Sequence, residues 1–421
     1  MRIALLSYRT KEHCGGQGVY VRHLSRGLAD LGHEVEIFSG QPYPDDVDPR
    51  VRLTKVPSMD FFREPDPFRT PRPGEFHSAV DVLEYAVTLT GCFAEPLTFG
   101  LRASKILKRR AADFDVVHDN QSLGYGLLAI MRRGMPLAAT VHHPISRDRK
   151  VELAEATTWR RRLSVARWYG FVPMQARVAR RIPIVLAVAG TSAADSVADF
   201  DLDADQMRVV PLGVDTETFA PSEHRVPGRV VAVASADKPL KGVSHLLEAV
   251  AKVRTDHDVH LELVSHLEPG GATERRIAEL GISDAVHVVS GISDDELAAL
   301  LASAEVMCVP SLYEGFSLPT VEAMSCGTPV VASRAGALPE VVGADEAGTS
   351  ECAVLVEPGD AEALAAAIRT LMDAPDERAR LGAAGRRRAL ERYSWTAVAE
   401  ATVAAYAEAI EASAGHRHRH P

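Results

Sequence analysis

Short apolar runs and longer amphipathic stretches alternate along the whole chain, and most pairs close on a turn signal. RIALLSY (Arg2–Tyr8), EVEIFSG, FDVVHDNQ (Phe114–Gln121), the start of PLAATVHHPISRDRK (Pro136–Lys150) and IPIVLAVAGTS (Ile182–Ser192) have the buried character of parallel strands covered on both faces. IPIVLAVAGTS is expected to be the last strand of its block. Between the first two runs, Gly15, Gly16 and Gly18 open a helical pattern through Val19, Val21, Leu24, Leu28 and Leu31, which Gly32 ends. The alternation resumes in GRVVAVASADKPLKG, HLELVSHLEPGG, AVHVVSG, AEVMCVP and PVVAS. Two blocks of this kind predict an α/β protein of two Rossmann-like domains built from right-handed parallel units, joined near Pro211–Asp215.

One stretch carries a denser signal, SLYEGFSLPTVEAMSCGTPVVAS (Ser311–Ser333). Pro319 suits the start of a helix and Gly327 its end. Glu314 is therefore predicted in the loop at a strand's C-terminal end, and Glu322 a turn or so into the following helix. Ligands bind at that edge of an open parallel sheet. The N–H groups of Gly315, Phe316, Ser317 and Leu318 lie around the helix start and favour an anion. Carboxylates beside such a cradle would repel the anion, so both are better suited to accept hydrogen bonds from neutral hydroxyls, as on a sugar or a ribose.

A chain of 421 residues, 46% hydrophobic and 25% charged, has material for two or three soluble domains. No apolar run approaches the roughly 18 residues of a membrane-spanning helix, and MRIALLSYRT has too short an apolar core for a signal peptide. Five scattered cysteines without a CxxC pair fit reduced thiols in the cytoplasm. The net charge of −10 argues against nucleic acid, but it is uneven: 28 Lys and Arg stand against 25 Asp and Glu through Met207, then 19 against 32. Asp46 and Asp48 match a D-x-D metal pattern, in a proline-rich loop that gives it little meaning. Trp159–Arg181 holds seven arginines, no acid and two of the three tryptophans. Peripheral membrane contact is one reading of it; a helical pair packing Trp and Leu inward, arginines in water, is the expected one. The final HRHRHP is expected to be a disordered tail.

Glu314 and Glu322, eight residues apart in EGFSLPTVE, resemble the E-x7-E signature of retaining GT-B glycosyltransferases of family 4. GGQGVYV resembles that family's glycine loop, and T-V-H, ending at His142, its sugar-contacting histidine. MRVVPLGVDTETFAP resembles its linker, with Leu212 in place of the usual Asn, and Arg392–Trp395 its closing segment before a helix that returns to the first domain. The resemblance implies a GT-B fold, two Rossmann-like domains whose parallel sheets face across a cleft. An acceptor-binding domain (residues 1–207) would be completed by a helix at about 394–415, a donor-binding domain would span 208–393, and 416–421 would be tail. It further implies transfer of a sugar from a nucleoside-diphosphate sugar to a hydroxyl acceptor, with retention and without a metal or other cofactor.

Under that resemblance Gly15 and Gly16 let the backbone approach the donor diphosphate and acceptor. Lys241 and the amides of Phe316, Ser317 and Leu318 meet the diphosphate. Glu322 takes ribose hydroxyls, Glu314 the sugar's hydroxyls, and His142 the sugar. Base contacts fall on backbone around Val289–Ile292, and no residue stands out as a covalent nucleophile. The chain departs from the family at two places. Asn120 stands where His is frequent, leaving it a hydroxyl-binding part on the acceptor side. The phosphate-binding arginine before Lys241 is missing near Ser235, whose place Lys238 or Ser235 would fill. Arg147 either meets an anionic acceptor or faces water. The acceptor is a small molecule, a glycan or a lipid-linked hydroxyl. A phosphorylase, a sugar-nucleotide epimerase or a non-catalytic binder would share the same fold.

Overall fold

The computed structural model describes residues 1–10, 16–63 and 66–419. The chain divides into two compact units, Met1–Val210 with Val398–Pro421, and Pro211–Ala397. The first is built on a parallel seven-stranded sheet of β1 (Arg2–Ser7), β2 (Glu34–Ser39), β3 (Arg52–Lys55), β4 (Val116–Asn120), β5 (Leu137–Val141), β6 (Ile184–Ala187) and β7 (Met207–Val209). Its order is β3-β2-β1-β4-β5-β6-β7. The direction of winding reverses between β1 and β4, which pair from Ile3 with Val116 to Leu6 with Asp119. Every residue of β4 and β5 is buried, the polar side chains of His118, Asp119, Asn120 and Thr140 included.

The second unit holds a parallel six-stranded sheet of β8 (Arg229–Val233), β9 (His260–Val264), β10 (Val286–Val289), β11 (Val306–Val309), β12 (Val330–Ser333) and β13 (Ala353–Val356), in the order β10-β9-β8-β11-β12-β13. Here the winding reverses between β8 and β11. At such a reversal the connections leave to opposite faces and open a crevice at the strands' C-terminal ends. The loops after β1 and β4, and those after β8 and β11, are therefore where topology alone puts a ligand.

Three expectations need correcting. β6 is not the last strand of its sheet: Met207, Arg208 and Val209 pair with Val185, Leu186 and Ala187, so the first unit runs to Val210 rather than Met207. A three-residue edge strand, half-exposed, leaves no apolar run to read. The C-terminal helix is continuous from Trp395 to Arg419, through the stretch expected as tail. No proline precedes Pro421 to stop it, and His420 and Pro421 lie outside the described residues. Within Trp159–Arg181 the helices Trp159–Trp168 and Val172–Ala179 form as expected. Trp168 packs on Phe93 and Phe62, with ring centroids 5.4 and 5.8 Å apart. Trp159 and Leu163, however, are 70% and 42% exposed, because 3.6 residues per turn sets them on roughly the opposite side from Val165 and Trp168.

The linker packs tightly at Gly213. A Cβ on Gly213 would lie 2.5 Å from the Trp395 ring, the Val214 N–H donates to the Tyr393 carbonyl at 2.7 Å, and the Asp215 carboxylate accepts from the N–H groups of Glu217 and Thr218. Cys92, Cys308, Cys326 and Cys352 are free thiols, and Cys14 lies outside the described residues.

Candidate active site

In the second unit the loop after β8 is a chain of tight turns. The Lys238 N–H donates to the Ser235 carbonyl at 3.0 Å and the Lys241 N–H to the Lys238 carbonyl at 2.9 Å. Ser265 Oγ accepts from the Ala236 N–H, and Asp237 accepts from the N–H groups of Glu268 and Thr273. The turn ends at Gly242, with φ +64°, where a Cβ would stand 2.0 Å from the Pro310 carbonyl oxygen. Only glycine serves there. That approach sets the loop against the end of β11, and the Leu312 N–H donates to the Leu240 carbonyl across the seam at 2.8 Å.

The side chains meet at the same seam. Lys241 Nζ donates to both Glu314 oxygens, at 3.1 and 2.9 Å, and Ser311 Oγ donates to Oε2 at 3.0 Å. The pair is mostly shielded, the side chains 30% and 14% exposed, and an ammonium has three donors, so Lys241 keeps a proton for a further acceptor. Gly336 backs the loop: its φ is +55° and a Cβ would meet the Glu314 carbonyl at 2.1 Å. Glu314 and Lys241, expected at one sheet edge, are in contact there; Ser235 and Lys238 lie exposed on the same loop. Lys238 has no ion-pair partner among the described residues.

Next comes the helix Leu318–Ser325, with Pro319 in its first turn and Gly327 at φ +65° after its end. Its N-cap, Ser317, holds φ +81°, a conformation that costs a non-glycine residue about 1 kcal/mol or more. Phe316 is buried against Tyr393, and Ser317 Oγ meets Thr320 Oγ1 at 2.8 Å. The first-turn N–H groups of such a helix lack intrahelical partners. Glu322 keeps part of its surface open, yet the protein around it desolvates the carboxyl and, with Asp294 nearby, lifts its pKa to about 7.

In the first unit the glycine loop's Gly15 lies outside the described residues, and Gly16 begins the helix Gly16–Asp30. His142 follows β5. Its Nε2–H donates to Asn120 Oδ1 at 2.8 Å, and Asn120 Nδ2 donates to Ser7 Oγ at 3.3 Å. This fixes the imidazole's tautomer, with Nδ1 as acceptor. Desolvation lowers the pKa of His142 to about 3, so the ring is neutral at physiological pH. Gln121, at φ +57°, accepts from the His142 N–H and donates to the His143 carbonyl, both at 2.8 Å. The ring of Tyr20 stands perpendicular to the imidazole, centroids 4.8 Å apart. Asn120 has no exposed surface; a hydroxyl-binding part does not fit it, and it orients His142 instead. Arg147 is likewise engaged, paired with Asp195 at 2.5 Å and 3.8 Å from Asp199, which ties Ser146–Glu155 to Gly190–Phe200.

A cavity of about 750 Å³ in the second unit, lined by Arg225, Glu305, Arg378 and Arg386 among others, lies by contrast at the strands' N-terminal edge. There Arg225 donates to the carbonyls of Ala304 and Gly327, and Arg386 to those of Thr216, Phe219 and Ser325. These arginines lock loops together.

Residues 14–218 match the family described as Glycosyltransferase Family 4, and residues 214–388 the Glycosyl transferases group 1. The chain is 65% identical, over 97% of its length and 98% of the relative's, to a protein of Mycolicibacterium hassiacum named MMP alpha-(1->4)-mannosyltransferase. This chain belongs to the family 4 glycosyltransferases. A D-inositol 3-phosphate glycosyltransferase of Xylanimonas cellulosilytica is 31% identical over 97% of both chains. Among solved structures, sucrose-phosphate synthase from Thermosynechococcus elongatus matches at a TM-score of 0.66 and 24% identity, over 98% of this chain and 100% of that one. Anabaena HepE in complex with UDP matches at 0.67 and 18%, over 97% and 100%. The fold is GT-B.

Gly242, Gly336, Ser311 and Gln121 are parts of the site that were not anticipated. KG and SRAG are commonplace, and only the approach of Gly242 to Pro310 and of Gly336 to Glu314 makes them necessary. Gln121 carried no local signal.

Proposed function

We propose that this glycosyltransferase moves mannose from a nucleoside-diphosphate mannose to a hydroxyl of an α-linked mannosyl glycan, forming an α(1→4) bond with retention and without a metal. The observation that carries the sugar and linkage is the 65% identity, over nearly the whole of both chains, with a relative named as an alpha-(1->4)-mannosyltransferase. The second unit holds the donor. Lys241 and the N–H groups at the start of Leu318–Ser325 stabilise charge on the leaving diphosphate, and Glu322 accepts from the ribose. Lys238, on the same loop, supplies the second cation where the family's arginine is absent, with Ser235 as a neutral donor. Glu314, oriented by Lys241 and Ser311, accepts from the sugar's hydroxyls. The first unit supplies His142 to the sugar through its Nδ1 or ring edge, and binds the acceptor.

In the transfer the bond from the anomeric carbon to the phosphate oxygen breaks as the acceptor oxygen attacks from the same face. The acceptor's proton passes to the departing phosphate oxygen. Preorganised cations supply most of the stabilisation of such a step. A panel of nucleoside-diphosphate mannoses offered to the protein in EDTA tests the donor half: one base is expected to support transfer, and dependence on added Mg²⁺ or Mn²⁺ would refute the metal-free reading.

Glu322 makes donor binding pH-dependent. The carboxylate is the form that accepts ribose hydroxyls, and its raised pKa leaves it half protonated near neutrality. A nucleotide sugar, a diphosphate diester, loses no proton itself in this range. Affinity is therefore expected to rise about tenfold between pH 6 and pH 8, following the ionised fraction of a group with a pKa near 7. Calorimetric titration of Glu322→Gln should give a flat profile; an unchanged slope would assign the proton elsewhere.

The proposal includes a cytoplasmic enzyme touching a membrane peripherally. Among the described residues no helix is long and apolar enough to cross a bilayer. Leu89, Trp159 and Leu163 stand exposed around a cleft that Arg160 and Arg167 also line, a combination suited to anionic lipid headgroups. Co-sedimentation with anionic vesicles, lost in Trp159→Ala/Leu163→Ala, is the expected result; equal recovery with and without vesicles would remove this partner.

A further inference from the structure

Behind His142 the first unit buries a run of polar side chains that none of the roles above uses. Tyr406, on the C-terminal helix, places its hydroxyl 2.7 Å from His118 Nδ1. His118 Nε2 lies 2.7 Å from Thr140 Oγ1, and Thr140 Oγ1 lies 3.2 Å from the hydroxyl of Tyr20. Tyr20 is the residue whose ring stands against the His142 imidazole. Tyr406, His118, Thr140 and Tyr20 are 0, 0, 1 and 3% exposed. The run links four parts of the fold: the C-terminal helix, β4, β5 and the helix that follows the glycine loop.

A polar run in a core is not needed for stability, since apolar side chains of matched shape would fill the same space at equal or lower free energy. Burial holds His118 neutral, so it has one N–H and one acceptor nitrogen. Each of its two short bonds then has one proton, and the two hydroxyls on either side are held in register. A satisfied buried network of this kind rigidifies what it touches. What it touches last is Tyr20, and through that ring the plane of His142, whose other edge is fixed by Asn120.

We infer that Tyr406, His118 and Thr140 form a positioning relay that sets Tyr20 and thereby the imidazole of His142 for transfer. The inference rests on the proposed part of His142 at the donor sugar. Tyr406 makes no contact with substrate; it acts through His118, so its removal lowers kcat and leaves the donor KM alone.

The test measures kcat and donor KM of the full-length enzyme, of Tyr406→Phe, of His142→Ala and of the double variant, in the transfer assay. Tyr406→Phe is expected to lower kcat about tenfold at unchanged KM, as a small misplacement of a reacting group does, and the same substitution is expected to cost nothing further in the His142→Ala background. An equal tenfold loss in both backgrounds would show that the run supports only the fold and would overturn the inference, as would undiminished kcat in Tyr406→Phe. Undiminished kcat in His142→Ala would remove the site assignment and this inference with it, whereas additive losses would remove the inference alone. Should Tyr406→Phe fail to fold, Tyr20→Phe keeps the ring, deletes the last hydroxyl of the run and carries the same comparison with the same expected result.

Discussion

Lys241→Ala is expected to lower kcat/KM for the nucleotide sugar by a factor of about 10² to 10³, the usual cost of losing one preorganised charge donor at a transition state. Two effects add in the same direction. The departing diphosphate loses its ammonium, and Glu314, no longer neutralised at 2.9 Å, faces that diphosphate as a bare anion. Lys241→Arg is not expected to restore the rate, because a planar guanidinium on a longer reach does not replace a compact ammonium between Gly242 and Glu314. Glu314→Ala should be similarly damaging, since it removes the acceptor for sugar hydroxyls and frees Lys241 from its fixed place. The fold should survive. The pair sits in loops at the sheet edge and neither side chain is in a hydrophobic core, so folded protein, seen as a cooperative thermal transition in both variants, should accompany the loss of turnover. Unchanged turnover in both variants would sink the assignment of this site.

His142→Ala is expected to lower kcat about 10²-fold, with the larger part of the loss in kcat rather than KM, as for a group whose interaction is made mainly in the transition state. The imidazole is held on three sides: Nε2–H by Asn120, the ring by Tyr20 and the backbone by Gln121. Asn120→Ala should therefore reproduce part of that loss without removing the ring. Because desolvation keeps His142 neutral down to about pH 3, the pH profile of kcat between pH 5 and pH 8 should show no limb belonging to it. A limb present in the parent and absent from His142→Ala would mean that the ring works as an acid or base and not as a neutral contact.

Most of the fold was legible because fully buried parallel strands leave an unmistakable trace. VVAS, VMCV and LAATV are largely apolar runs, and Gly32, Pro319 and Gly327, outside the strands, mark where helices begin and stop. The positions of Glu314 in a loop and Glu322 on a helix followed from those marks alone. What was hidden depends on contacts between distant parts of the chain. Trp159 and Trp168 have the same composition signal, and only helix phase against the rest of the unit decides that one packs and the other stands in water. β7 is too short to show a period. Asn120 read as a residue free to meet a hydroxyl until β1, β4 and β5 were brought side by side and closed over it. The bond from Tyr406 to His118 spans 288 positions, and no local pattern announces that a tyrosine in an alanine-rich helix will end beside a buried histidine.

The most direct test of the central claim is the anomeric configuration of the first product, followed by proton NMR as it forms from an α-linked nucleoside-diphosphate mannose and an α-mannoside acceptor, in EDTA. The account predicts a new α(1→4)-mannosyl signal growing in step with release of the nucleoside diphosphate. A β-linked first product, or release of the nucleotide with no new glycosidic signal, would contradict it.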